Sequence, residues 1–170
     1  TQSLSSAASD VYKRQGKIRA AVQARRDPDT LIIARTDAGT PEEAILRATM
    51  YAEAGADLIQ PISRTFTDFA GLKQMRKAVG VPLSLQILGW LEKDLSQDQI
   101  SEVAGVACYP LVGLMSAAQA LQDNYIQLMA DKGTENLPHP VMSMADFKTF
   151  IGFEEIEEQQ MKFMMMNLKI

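Results

Sequence analysis

Arg35 and Asp37 stand two residues apart at the end of an apolar run, Leu31-Ile32-Ile33-Ala34-Arg35-Thr36-Asp37-Ala38-Gly39. The run reads as a strand buried on both faces, as in a parallel sheet. Functional groups of parallel α/β proteins collect at the carboxyl ends of strands, so these two charges are candidate site residues. The alternative is an ion pair that only ties the loop. The other residues with reactive chemistry are single. Cys108 lies inside an expected strand and reads as a buried structural thiol. His139, in Leu137-Pro138-His139-Pro140, has no second His or Cys nearby to share a metal and reads as a surface loop residue.

The elements that must position Arg35 repeat. Asp57–Pro61, Val81–Gln86 and Val106–Pro110 read as three further strands, and glycines 55, 80 and 105 precede them at intervals of 25 residues. Glycine just past a helix takes the left-handed conformation cheaply. A strand, a helix and a glycine at that period describe serial βα units. Thr40-Pro41-Glu42-Glu43 carries a capping-box pattern, and Ala44, Ala48 and Ala52 give the helix behind it a small-residue stripe. Phe69, Leu72, Met75 and Val79 line a second helix. Ser96 and Gln99 cap a third, with Ile100 and Val103. Leu114, Ala118, Leu121, Tyr125 and Leu128 mark a fourth, all read as core packing.

The 170 residues make one domain or part of one, 46% hydrophobic with net charge −4. No basic patch with interleaved aromatics speaks for nucleic acid, and no apolar run approaches the roughly 20 residues of a membrane span. A single cysteine fits a reducing cytoplasm. Ser5-Ser6-Ala7-Ala8-Ser9-Asp10-Val11-Tyr12-Lys13-Arg14-Gln15 looks like a translated transposase-type sequencing-library adapter. Residues 1–15 are therefore expected to be a non-native leader, disordered or irregular, with the natural sequence starting near Gly16. Residues 16–133 then form the βα region, and 134–170 a linker and C-terminal helices, Ser143–Phe150 and Glu154–Phe163. Phe147, Phe150, Ile151, Phe153 and Ile156 offer apolar surface there, and Met161, Met164, Met165 and Met166 a soft patch. Met164–Ile170 is expected to fray.

Lys17–Val22, Arg25-Arg26-Asp27-Pro28-Asp29, Ile32–Ala38, Ala52–Asp57, Val81-Pro82-Leu83, Tyr109-Pro110-Leu111 and Phe147–Phe153, in that order, resemble the isocitrate lyase / phosphoenolpyruvate mutase superfamily. The resemblance implies a partial (βα)8 TIM barrel, strands five to eight plus C-terminal helices, from an enzyme that makes or breaks C–C or P–C bonds next to a carboxylate. It implies Mg2+, an enolate-like intermediate and a homo-oligomer. Arg35 matches the family's arginine for the substrate's carboxylate or phosphonate, a catalytic and substrate-binding role that suits a bidentate guanidinium. Asp37 matches a position that orients the arginine loop. The acidic Mg2+ ligands and a Lys-Lys-Cys-Gly-His-type loop belong to an N-terminal half missing from this sequence, so the chain is expected to be inactive alone.

Three departures bear on the substrate. Ile62 stands where methylisocitrate lyases have glutamate, Gln86 where they have asparagine and Met115 where they have arginine. A small 2-oxo acid such as oxaloacetate, or a phosphonate, is therefore favoured over a tricarboxylate. Gln60 and Gln86, at strand ends, are candidates to hydrogen-bond it, or are merely polar residues on a barrel rim. Two alternatives remain: another barrel lyase or aldolase, although no strand here ends in a Schiff-base lysine, and a non-catalytic half-barrel that binds or oligomerises.

Overall fold

The computed structural model describes residues 2–167, and the side chains of residues 11–164. Two compact units divide the chain, Thr1–Val112 and Gly113–Ile170. The first contains helix α1 (Gln2–Ala24), strand β1 (Ile33–Thr36), α2 (Pro41–Glu53), β2 (Leu58–Pro61), α3 (Phe69–Val79), β3 (Leu83–Gln86), the short helices α4 (Trp90–Asp94) and α5 (Gln97–Val103), and β4 (Ala104–Cys108). Helix α6 (Val112–Asp131) leads into the second unit, with α7 (Met144–Phe150) and α8 (Phe153–Asn167). The division falls at the start of α6.

All four strands are parallel and stand in the order β1-β2-β3-β4. Each strand pairs with the next in sequence. Crossovers of one hand without a reversal of order put their helices on one face of the sheet, as in a βα barrel and unlike a doubly wound fold. The core lies around the inner strands. Ile59, Leu83 and Leu85 are buried against Leu72, Met75, Ile100 and Val103. Burial of each such side chain contributes roughly 1.5–3 kcal/mol.

Local sequence explains where the helices begin and end. Thr40 caps α2 by accepting the Glu43 N–H, with Pro41 in the first turn. The reciprocal arm of the expected capping box is diverted, because the Glu43 carboxylate takes Arg47 at 2.6 Å. Asp68 caps α3, and Gly80 (φ 73°) ends it in the left-handed region. Ser96 and Gln99 form a complete capping box on α5.

Four expectations require correction. The leader is helical from Gln2, not irregular, and Gln15 is buried, donating from Nε2 to the Met50 carbonyl at 3.1 Å. Side chains 5–10 of the leader lie outside the described ones. β1 is not buried on both faces. It starts at Ile33 and lies at a sheet end, so Ala34 and Thr36 are buried while Ile33 is 44% exposed. Gly105 does not terminate a helix. It sits inside β4 at a bulge, where Leu83 pairs with Ala104 and Ser84 with Val106, and a Cβ there would stand 2.9 Å from Pro82 Cβ. Finally, α6 has no buried residue, and Leu114, Leu121 and Tyr125, read as core, are exposed.

In the second unit the Asn124 side chain bridges the backbone of His139, accepting its N–H at 3.0 Å and donating to its carbonyl at 3.1 Å. His139 Nε2 meets Asp123 Oδ2 at 2.8 Å. His139 is thus a partly exposed loop residue, as expected, and it is anchored at both its backbone and its ring. Ser143 caps α7, and Gly152 separates α7 from α8. Phe147, Phe150, Ile151, Ile156, Met161 and Met164 are exposed. The side chains of Met165 and Met166 lie outside the described ones, and 168–170 outside the described residues.

Candidate functional site

The loops that leave the carboxyl ends of β1, β2 and β3 are laced to one another. The Thr36 carbonyl accepts the Ile62 N–H at 3.0 Å, and the Thr36 hydroxyl oxygen accepts the Ala38 N–H at 3.3 Å. Buried Thr65 donates its hydroxyl to the Ala38 carbonyl at 2.7 Å. Trp90 Nε1 donates to the Ser63 carbonyl at 2.9 Å. Three βα loops therefore form one connected rim, and Arg35 and Asp37 stand on it.

Arg35 Nε and Asp37 Oδ1 are 2.8 Å apart, with side chains 48% and 57% exposed. An exposed pair of this kind contributes only about 0–1 kcal/mol to stability. Its larger effect is geometric. The aspartate holds the guanidinium by Nε, and among the described residues no acceptor is paired with the two Nη groups, the end that grips two oxygens at once.

Arg35 lines a cleft of about 330 Å3 with Thr36, Asp37, Lys13, Arg14 and Lys17 from α1, and Arg47 and Tyr51 from α2. Five cationic side chains and one carboxylate line it, so its field favours anions. Arg47 Nε is a buried donor with no acceptor. Sequence reasoning found Arg35 and Asp37 but missed the rest of this wall. The Glu43–Arg47 spacing was a readable i,i+4 pair, whereas nothing local signals that α1 lies beside α2. Thr65 and Trp90 also went unmarked, because a hydroxyl or indole that secures a loop carries no motif.

Gln60 is the register partner of Arg35, which puts the two side by side on adjacent strands. Gln86 ends β3 beside Cys108, two residues beyond the level of Gln60, since Ile59 pairs with Leu83. The structure thus brings Arg35, Asp37 and Gln60 together and sets Gln86 a layer away, about 6–7 Å along the strand. Cys108 was expected to be buried and is exposed, because β4 is the other end strand of the sheet. No group of three or more His, Cys, Asp or Glu able to hold a metal ion exists among the described residues. No described helix is long and apolar enough to cross a membrane.

Comparison with known proteins agrees with this arrangement. The family described as phosphoenolpyruvate phosphomutase matches residues 2–132. A 2,3-dimethylmalate lyase of Eubacterium barkeri is 30% identical over 148 residues, 84% of this chain and 50% of its own length. An oxaloacetate decarboxylase of Pseudomonas putida (strain GB-1) is 37% identical over 123 residues, 71% of this chain and 41% of its own. A phosphonopyruvate hydrolase crystallised with oxalate and Mg2+ superposes with a TM-score of 0.77 at 26% identity, covering 91% of this chain and 56% of that one. The chain spans about half the length of the curated relatives it matches. With its singly wound parallel sheet and its charged strand ends, it belongs to the phosphoenolpyruvate phosphomutase family, within the superfamily of isocitrate lyase-type lyases and mutases.

Proposed function

We propose that this chain is the carboxyl half of a (βα)8 enzyme, strands five to eight, acting on a small 2-oxo acid or phosphonate. The observation that carries the reading is the Arg35 guanidinium, tethered through Nε to Asp37 at a parallel strand end, with no acceptor paired to its Nη groups among the described residues. In this reading Arg35 grips the substrate's carboxylate or phosphonate, Asp37 fixes the plane of the grip, and Gln60 hydrogen-bonds the substrate beside it. Gln86 reaches the same mouth from one layer further out. Ile62, half-buried just after β2, supplies no carboxylate to a larger polyacid. That favours the oxaloacetate- or phosphonopyruvate-sized substrates on which relatives and structural neighbours act by name.

The superfamily implies Mg2+, which would supply charge stabilisation for an enolate-like oxyanion. The described residues of this chain do not fit it. Among the described residues Asp37 is the only carboxylate lining the cleft, and it is engaged by Arg35. The ligands are assigned to the N-terminal half of the barrel, and the chain alone is read as inactive. The test is a chimera that joins the N-terminal half of the P. putida oxaloacetate decarboxylase to this chain from Gly16. Mg2+-dependent loss of oxaloacetate by the chimera, abolished by Arg35→Ala and absent from the chain alone, is the expected result. Turnover by the chain alone, or by a chimera indifferent to Arg35, contradicts it.

A further inference from the structure

The segment Ile62–Phe66, which leaves the carboxyl end of β2, is fixed at every residue but one. The Ile62 N–H is held by the Thr36 carbonyl at 3.0 Å, and the Ile62 carbonyl accepts the Thr65 N–H at 3.1 Å, closing a β-turn over residues 62–65. The Ser63 carbonyl accepts from Trp90 Nε1, and the Thr65 hydroxyl donates to the Ala38 carbonyl. Phe66 is buried against the first turn of α3, where a Cβ on Gly71 would stand 2.8 Å from its Cδ1. The exception is Arg64, exposed at the third position of the turn. It is the only charged residue between Asp57 and Asp68, and Asp68 is taken up in capping α3. Among the described residues the Arg64 side chain has no ion pair, hydrogen bond or ring contact, whereas Arg35 and Arg47 each hold a carboxylate.

We propose that Arg64 sets the specificity of the site: it receives the substrate's second acidic group, the one that Arg35 does not hold, so that dianionic 2-oxo acids are taken in preference to monoanionic ones. The inference deepens the proposed function and rests on Arg35 as the ligand clamp. Ordering a loop backbone costs conformational entropy, and a merely solubilising arginine needs no such ordering. A cation that must meet an anion in one place does, because a guanidinium already positioned loses less freedom on binding. The contacts that fix the turn come from β1, from the loop behind it and from the loop behind β3, so Arg64 is held to the rim that carries Arg35. Strand spacing of about 4.8 Å and two residues of turn keep its Cα within roughly 12 Å of that of Thr36. Ile62, between Gln60 and Arg64, places no carboxylate there to compete with the ligand.

Three probes separate the two arginines. Phosphonopyruvate carries both acidic groups, 2-oxobutanoate has a methyl in place of the phosphonate, and oxalate is a dianion too short to use a second clamp. Binding of each to the purified chain is measured calorimetrically for wild type, Arg64→Gln, Arg64→Lys and Arg35→Gln. Arg64→Gln should weaken phosphonopyruvate about tenfold, the loss of one charge-assisted contact, and leave 2-oxobutanoate and oxalate within about twofold. Arg64→Lys, which keeps the charge and loses the fork, should recover part of that loss. The single tryptophan, Trp90, gives a second readout, since its indole holds the residue next to Arg64. Its fluorescence should change with phosphonopyruvate and not with 2-oxobutanoate. Arg35→Gln should weaken all three probes. If it does so while Arg64→Gln weakens none of them, or all three alike, the specificity role is overturned and the clamp stands. If Arg35→Gln leaves all three unchanged, or wild type does not bind phosphonopyruvate, the clamp and the inference resting on it both fall.

Discussion

The hydroxyl of Thr65 donates to the carbonyl of Ala38 across 27 residues of sequence, and both groups are buried. That bond joins the loop carrying Asp37 to the loop behind β2. Thr65→Val keeps the shape and leaves the Ala38 carbonyl without its donor, at a cost of about 1–3 kcal/mol. Urea unfolding should show this loss, Thr65→Ser should recover most of it, and oxalate binding should weaken in Thr65→Val because the Arg35 rim slackens.

At the opposite ends of the same strands a second cluster works for stability alone. Arg25 Nη1 meets Asp57 Oδ2 at 2.8 Å, and the same oxygen accepts the Ile32 N–H at 2.8 Å. Both side chains are mostly covered, so removing one partner leaves the other poorly solvated. Asp57→Ala should cost about 1–3 kcal/mol in denaturant titration. Because the cluster lies away from the strand ends that carry Arg35, oxalate affinity should change less than about twofold.

Two glycines should respond to alanine for different reasons. Gly80→Ala meets nothing within 4 Å but must hold φ at 73°, costing about 1–2 kcal/mol. Gly105→Ala has no unusual φ, yet its Cβ would stand 2.9 Å from Pro82 Cβ and 3.2 Å from Leu58 Cδ2, an overpacking cost of about 1–3 kcal/mol. Asparagine, which tolerates the left-handed region, should rescue position 80 and not position 105 in thermal melts.

The Asp123–His139 contact predicts an acid-sensitive clasp. The hydrogen bond from His139, then that from Gln119, holds the Asp123 carboxyl below its ordinary value of 3.8. A depressed folded value contributes stability above pH 3.8, and this contribution is lost as pH falls through the lower folded value. The protection factors of the Leu137 and His139 amides, the two in the 137–140 segment that carry a hydrogen, should therefore fall as pH drops below 3.8. Asp123→Asn should remove that acid step and leave the segment less protected at neutral pH.

The sequence revealed what is local and periodic. Helix caps at Thr40 and Ser96 follow from side chains that reach their own backbone, and the Gly55 and Gly80 stops follow from φ, whereas the Asp68 cap was not read. Arg35 and Asp37 were readable because a charge after an apolar run is conspicuous. Burial at the ends of the sheet was not, since alternation in Ile33-Ala34-Arg35-Thr36 is decided by whether a neighbouring strand exists. The same holds for α6, whose apolar stripe looks like core wherever it lies. Lys17, Arg47, Thr65 and Trp90 were missed because their roles depend on long-range proximity.

Oxalate binding to the purified chain, followed calorimetrically at low ionic strength for wild type, Arg35→Gln and Lys17→Gln, tests the role of Arg35 most directly. Wild type should bind, Arg35→Gln should lose at least about tenfold in affinity for want of the bidentate pair, and Lys17→Gln should lose about two- to threefold. Equal affinity in wild type and Arg35→Gln would show that the strand-end arginine is a loop tie and not the ligand clamp.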